Sequence, residues 1–411
     1  MSDLVMSAPQ RWFWASFVIV LFIPLLGSIF SPLPFAVFVP AAGMIYFLAH
    51  RLLFKTWPQF STPLPGLLPL IASLIVLMIA SALWSVEPQA SFERALKVSG
   101  LIIASFALLS VAQSCPAAVF KNYSGIFPAA VILVGLITSL DIYFGMPLYS
   151  LVNTASSETK IRPDLLNKNA SVFAMALPVA IYLSLKSRSI LLFTILLWLS
   201  FAVLFSTNSQ ACQLALLVIL LSGFGCLFFL EKLTIRAAFI SIAALIVLLP
   251  WVSPTLFDLL AIKIGDKTPG LLTDASAALR LENWDFLSRR IFENPLTGFG
   301  MDSTRYMTFD TEKLYFKNDS IMHPHNMGLQ FWIEFGVLGV IWSLAFLTYI
   351  YLCFMRLAPG ARRLSFITFC GIVVFLLVSW SIWASWLLAL IFYLAALCVL
   401  AAKANTVPLN S

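Results

Sequence analysis

Two of the three histidines in this 411-residue chain stand in one tetrapeptide, His323-Pro324-His325-Asn326. That polar segment leads straight into an apolar stretch carrying Glu334, Gly336 and Gly339. Imidazole is the side chain whose unperturbed pKa lies nearest neutrality, so an imidazole pair where a loop meets a membrane helix is suited to moving a proton. Arginines and lysines in other polar segments add a second capability. A guanidinium binds phosphate through paired hydrogen bonds and keeps its charge while doing so. Together these residue types fit transfer of a group whose leaving part departs as phosphate or pyrophosphate. The chain has no Walker-type glycine loop and no Asp-x-Asp motif, so neither a nucleotide, a cofactor nor a bound metal is expected. A lipid-linked donor suits a site at a membrane surface.

His325 is the candidate base, with His323 and Asn326 beside it as candidate substrate contacts. Arg162, Arg280 and Lys168 are the candidates for holding the leaving group. Each has an ordinary reading as well. Arg162 could balance Asp164 and Glu158, and Arg280 could pair with Asp274 or Glu282 on a solvated helix. Lys168 and Asn169 could anchor the end of an apolar span, and Arg289 and Arg290 could meet lipid headgroups. Arg94 and Lys97 could snorkel to the same level. Glu334 lies about two helical turns into an apolar span, where a bare carboxylate is costly and calls for a partner such as an arginine.

The elements that must position these groups are membrane helices. The chain is 61% hydrophobic and only 10% charged, against about 25% charged in soluble domains. Reading for apolar runs of roughly 20 residues gives twelve spans. They lie near 12–30, 34–50, 67–84, 95–113, 125–143, 169–185, 189–205, 210–230, 234–252, 327–355, 364–380 and 383–402. The last pair is separated only by Ser381 and Ile382. The first run lacks a small-residue cleavage site after it and is read as a retained span. Trp12, Trp14, Trp84, Trp251, Trp380 and Trp383 near predicted ends suit an interfacial belt. The six cysteines avoid the polar loops and form no CxxC pair, which points to apolar filler within helices.

The expected fold class is therefore an all-α polytopic membrane protein, a single integral membrane domain over 1–411 with both termini cytoplasmic. That orientation places twelve of the 25 basic residues inside with only two acids, Asp3 and Glu231, as the positive-inside rule requires. The net charge of +7 thus follows topology and forms no stripe for nucleic acid. Two outward loops are long, one over about 144–168 and a larger one over 253–324 between spans 9 and 10. Within the larger loop, Asp274 or Ser276 could cap a helix running from 277 to Ile291, with Leu279, Trp284, Leu287 and Ile291 facing the membrane's outer surface. Asn294-Pro295 and Gly298 would end it.

His325-Asn326, nine residues, then Gly336-Val337-Leu338-Gly339 resembles the signature of the O-antigen ligase family. That family sits in a superfamily with O-antigen polymerases and protein O-oligosaccharyltransferases. Other segments similar to the superfamily are Trp84-Ser85-Val86-Glu87-Pro88, Arg162 before Asn167-Lys168-Asn169, and Arg280 with Trp284 followed by Asn294-Pro295-Leu296-Thr297-Gly298-Phe299-Gly300. The spacing to Gly336 and Gly339 singles out His325 over His323. The resemblance implies a metal-independent, inverting transfer of a glycan from undecaprenyl diphosphate to a sugar hydroxyl of the lipid A core, in a bacterial inner membrane with the site facing the periplasm. By the same resemblance His325 is the base, and Arg162 and Arg280 bind the departing diphosphate. One departure is Ser206-Thr207-Asn208-Ser209-Gln210, where the superfamily often has Ser-Arg and Gln210 supplies no charge. The competing readings are a polymerase or protein O-oligosaccharyltransferase, and, from another class, a transporter or flippase. The short stretch after Lys403 speaks against the longer extension common in the protein-glycosylating members. Charges gathered in outward loops, with no internal repeat, speak against a transporter.

Overall fold

A computed structural model describes residues 6–152, 162–264, 275–308 and 321–404. Among these residues the secondary structure is helical, with no β-strand. The first half holds α1 (Ala8–Val20), α2 (Ile23–Gly27), α3 (Phe35–Phe54), α4 (Leu67–Ala80), α5 (Pro88–Ser114), α6 (Ala117–Tyr123), α7 (Ile126–Tyr143) and α8 (Pro147–Val152). The second half holds α9 (Asn167–Lys186), α10 (Ile190–Ser206), α11 (Gln210–Phe228), α12 (Glu231–Ile264), α13 (Ala275–Ile291), α14 (Met327–Arg356), α15 (Pro359–Val378) and α16 (Ser385–Ala404). Among the described residues, eleven helical spans are long and apolar enough to cross a bilayer, and the expected seventh span is α10, with 17 residues. The chain is a multi-pass membrane protein.

Between lipid-facing helices, apolar burial gives little drive for association, so close backbone approach and interhelical hydrogen bonds must hold the bundle. Both occur. A Cβ on Gly43 of α3 would lie 2.8 Å from the Ala104 carbonyl oxygen and Leu108 nitrogen of α5, so those two helices touch backbone to backbone. The start of α9 is anchored by Asn169, whose side-chain amide donates to the carbonyls of Ser28 (2.7 Å) and Ile29 (3.0 Å). In α12, Pro250 removes the N–H that the Ile246 carbonyl would accept inside a helix. Trp332 of α14 supplies the missing donor at 2.9 Å. That substitution lets α12 run on through both Pro250 and Pro254 to Ile264, beyond the boundary near 252 that its hydropathy suggests.

The bundle has two chemically different ends. At one end, Glu231 at the start of α12 accepts from Arg362 and Arg363 at the start of α15. Arg356 donates to the Pro63 carbonyl at 3.0 Å, and Lys403 donates to the Gln113 carbonyl at 2.6 Å. These cations are among those the charge bias places in the cytoplasm. The other end gathers the start of α14, the end of α15, the start of α9, the link between α4 and α5, and α13. α13 packs along α12 and α14, with Phe286, Leu287 and Ile291 in the main core. Its buried face also includes Leu281, Glu282, Asn283 and Ser288, while Leu279 is only half-buried. The face is therefore rotated from the apolar stripe read in sequence, and it is partly polar. Asp274 and Glu158 lie outside the described residues, as do the side chains before Ala278 in α13.

Candidate functional site

Both histidines lie where the loop feeds α14. Asn326 is the N-cap of that helix, its side-chain oxygen accepting from Leu329 N at 3.1 Å. Its Nδ2 donates to the Leu377 carbonyl at 2.9 Å, near the end of α15. Both ends of this amide are thus engaged in fixing where the loop stops and the helix begins. His325, one residue earlier, has φ of +55°. Non-glycine residues are uncommon there, although histidine, like asparagine and aspartate, enters this region more readily than most. Two contacts hold the segment: Trp284 of α13 donates Nε1–H to the Pro324 carbonyl at 2.9 Å, and the His325 Nδ1 bonds to the Ser379 carbonyl oxygen.

The second contact decides the imidazole's chemistry. A carbonyl oxygen can only accept, so Nδ1 carries the proton and the neutral ring presents Nε2 as a base. Burial holds the His325 pKa below its ordinary value, and nearby Arg280 pushes in the same direction. Burial takes His323 down to about 3, with His325, Arg305 and Lys168 adding to the effect. The two rings have centroids 4.0 Å apart. Nε2 of His323 is buried and meets no hydrogen-bond partner among the described residues. The pair is thus a neutral one in a cationic setting.

The cations differ in how far they are already engaged. Arg280 is half-buried on α13 and has no carboxylate partner among the described residues; the pairing with Glu282 considered from sequence is not made, and Asp274 lies outside those residues. Burial lowers its pKa from the ordinary value, yet a guanidinium stays protonated at neutral pH. Lys168 sits with Nζ 5.7 Å from the centre of the Trp380 ring. Arg305, not singled out in sequence, is held by Asp302 at 2.8 Å. Arg162 is exposed and paired with Asp164 at 3.2 Å, and among the described residues it makes no hydrogen bond or ion pair with the histidine loop. Arg94 does not snorkel: it donates to the Trp383 carbonyl at 2.8 Å and faces Asp302 at 3.7 Å. Arg289 pairs with Asp285 at 2.9 Å and Arg290 with Glu293 at 2.8 Å.

Short segments far apart in sequence build the walls. The loop 294–300 is stitched to α14 by Phe299 N to the Ile333 carbonyl (2.8 Å), Gly300 N to the Glu334 carbonyl (2.9 Å) and Val337 N to the Pro295 carbonyl (2.9 Å). α14 can offer those carbonyls because it breaks at Gly336, with φ +59° and ψ −147°. On its other side the same loop meets the segment after α4. Trp84 donates to the Thr297 carbonyl at 2.9 Å, Val86 N to the Phe299 carbonyl at 3.1 Å, and Ser91 to the Met301 carbonyl at 2.6 Å. The Trp84–Pro88, Asn294–Gly300 and Gly336–Gly339 segments are therefore parts of one joint.

The hairpin 379–384 between α15 and α16 was missed in sequence, where it passes for a gap between two spans. It supplies the acceptor for His325, and Trp380 donates to Ser171 at 3.2 Å. Trp383 is fully buried instead of interfacial, its Nε1 donating to Glu334 at 2.6 Å. Trp14 is likewise buried, whereas Trp12 and Trp251 remain exposed. The partners of Glu334 are Trp383 and Gln330, not the arginine anticipated. The signal was a serine–tryptophan alternation, Ser379-Trp380-Ser381-Ile382-Trp383, unusually polar between two apolar runs. Ser209 caps α11 across the Ser206–Gln210 turn, so that departure from the superfamily pattern forms a helix start.

Residues 195–343, from α10 into α14, match a family model described as O-antigen ligase. The chain is also similar to rickettsial proteins bearing the name "Putative polysaccharide ligase". It is 24% identical over 302 residues to one from Rickettsia conorii (strain ATCC VR-613 / Malish 7), covering 70% of this chain and 68% of that one. It is 26% identical over 231 residues to one from Rickettsia prowazekii (strain Madrid E), covering 50% and 55%. For one from Rickettsia typhi (strain ATCC VR-144 / Wilmington) the figure is 30% over 125 residues, covering 28% and 30%. The chain thus spans about two thirds of the first of these proteins and less of the other two. No solved structure matches it.

Proposed function

Because the chain belongs to the O-antigen ligase family, we propose that it transfers a glycan from undecaprenyl diphosphate to a sugar hydroxyl of the lipid A core, in lipopolysaccharide biosynthesis. The site faces the periplasm from the bacterial inner membrane, with lipids around the bundle. The observation that carries this reading is the His325 ring, whose Nδ1–H is committed to the Ser379 carbonyl and whose Nε2 is left as a base near Arg280, which has no carboxylate partner among the described residues. In the reaction Nε2 takes the proton of the acceptor hydroxyl as its oxygen bonds to the anomeric carbon of the donor. The bond from that carbon to the diphosphate oxygen breaks on the opposite face, so the configuration inverts. The electron pair leaves on the diphosphate, whose charge Arg280 and Lys168 meet. Arg162 can exchange its exposed tie to Asp164, a pairing of little worth in water, for the same anion. His323 lines the acceptor side, and Asn326 keeps the base in register with α14. The arginines supply the charge stabilisation, so transfer is metal-independent and persists in EDTA.

The arginines should separate in a purified transfer assay. R280A is expected to lower kcat by about a hundredfold, the scale of removing one preorganised electrostatic contact to developing charge, with R280K recovering part of it. R162A is expected to act mainly on KM, by about tenfold or less, because its charge is exposed and already paired. Equal losses in both variants would refute this division of roles. The reaction itself is tested by deleting the gene: long-chain lipopolysaccharide should vanish while full-length lipid-linked glycan accumulates. A core bearing a single repeat unit would instead identify a polymerase.

A further inference from the structure

The proposed reaction uses one buried acid nowhere. Glu334 is fully buried within a bilayer-spanning helix, where an acid is costly unless it has a specific task. Its carboxyl is held at both oxygens: Oε1 accepts from Gln330 Nε2 at 2.9 Å and Oε2 from Trp383 Nε1 at 2.6 Å. Gln330 in turn grips the hairpin, donating to Ser381 Oγ at 3.0 Å and accepting from Ile382 N at 3.2 Å. Arg94 fixes the Trp383 carbonyl at 2.8 Å. Three consecutive hairpin residues are thereby pinned. Two residues before the first of them is Ser379, whose carbonyl receives the His325 Nδ1–H.

The backbone of the same helical turn serves the other wall of the site. The Glu334 carbonyl accepts from Gly300 N at 2.9 Å, and Gly300 leads into Asp302 and Arg305. One turn of α14 therefore sets the hairpin that orients the base and the loop that brings a cation near its neighbour. We infer that Glu334 is a positioning residue for His325, acting through Trp383 and the hairpin 379–384 to keep the imidazole in its Nδ1–H form. The inference deepens the functional reading above and rests on it for its catalytic consequence, though not for its structural one.

Two substitutions probe the carboxyl–indole contact without removing bulk. W383F deletes the donor and keeps an aromatic ring. E334Q leaves one acceptor oxygen for two donors, so its amide nitrogen must face either the Gln330 amide or the Trp383 N–H. Gln330 could relieve the first clash only by flipping, which would take its oxygen away from Ile382 N, and the indole cannot relieve the second. Either change should free the hairpin and let His325 sample its Nε2–H tautomer, which has no base facing the acceptor. With three histidines in the chain, 15N-histidine-labelled protein in lipid nanodiscs gives three ring systems, assignable with H50N and H323N. The parent should show His325 as a single Nδ1–H tautomer, and W383F and E334Q should show a mixture. In the transfer assay kcat should fall by about tenfold or more, the scale of one lost hydrogen bond to a positioned group, with KM changed less than about twofold.

An unchanged His325 tautomer in both variants overturns the inference. So does a mixed tautomer with unchanged kcat in an enzyme that H325N inactivates. Should H325N itself be as active as the parent, the functional reading falls, and the tautomer measurement still decides whether Glu334 sets the ring.

Discussion

Replacing His325 by asparagine is expected to lower kcat for glycan transfer by about 10²–10⁴-fold, the usual contribution of a positioned general base, while leaving the melting temperature close to that of the parent. Asparagine is the sharper substitution because position 325 has φ of +55°, which asparagine tolerates better than alanine or leucine. Its side-chain amide can also donate to the Ser379 carbonyl, preserving the anchor while removing the basic lone pair. A protein that melts normally, binds donor and fails to transfer would separate the proton from the scaffold. Full activity in H325N would remove the base from the mechanism altogether.

The same assignment fixes a pH dependence. A base works in its neutral form, so the rate falls as pH drops through its pKa. Burial and Arg280 hold the His325 pKa below the ordinary 6.5, so the acid limb of kcat/KM should lie below that value. R280A removes a charge that opposes protonation and should move the limb upward, toward neutrality. A limb at or above 6.5 in the parent would mean that the ring is solvated or is not the base. His323, at about 3, stays neutral throughout this range and should leave no limb of its own.

Much of the architecture was legible because a bilayer imposes a length and a polarity on every span, and those are local properties of the chain. The twelve apolar runs correspond to helices for that reason, including α10. What was not legible depends on pairing between distant segments. Nothing near Pro250 announces that Trp332 will satisfy the freed Ile246 carbonyl, so α12 read as ending where its hydropathy fell. The hairpin 379–384 was overlooked on similar grounds: its backbone oxygen acquires a role only when α14 brings His325 to it. Within the candidate site, His325, His323, Lys168 and Arg280 were chosen by residue type; the two rings lie 4.0 Å apart, Lys168 and His325 weigh on the protonation of His323, and Arg280 on that of His325. Arg305 and Glu334 gain their places from neighbours, Arg305 through Asp302 and Glu334 through Trp383.

The glycine spacing that carries the family resemblance has a steric cause, and it leads to the largest structural effect expected here. Gly336 has φ +59° and ψ −147°, a region open essentially to glycine alone. A Cβ at this position would stand 2.5 Å from the Pro295 carbonyl oxygen and from the Leu296 carbonyl carbon. Those atoms are backbone, and the Pro295 carbonyl is itself held by Val337 N. They cannot swing aside as the end of a flexible side chain would. G336A therefore faces both a forbidden conformation and a collision. Its cost should reach about 3 kcal/mol or more, since strained backbone alone accounts for roughly 1–3 kcal/mol. The relief available is to straighten α14 and expel the 294–300 loop, which carries the Trp84 and Val86 contacts with it. Thermal unfolding in detergent should show the loss, and limited proteolysis should open new cleavage between 294 and 308. G100A is the matched control, because a methyl there meets nothing within 4 Å and the residue lies inside α5. It should be neutral or slightly stabilising. If G336A melts with G100A and resists protease equally well, then the break in α14 is not what docks the loop, and the spacing from His325 to Gly336 would need another physical origin.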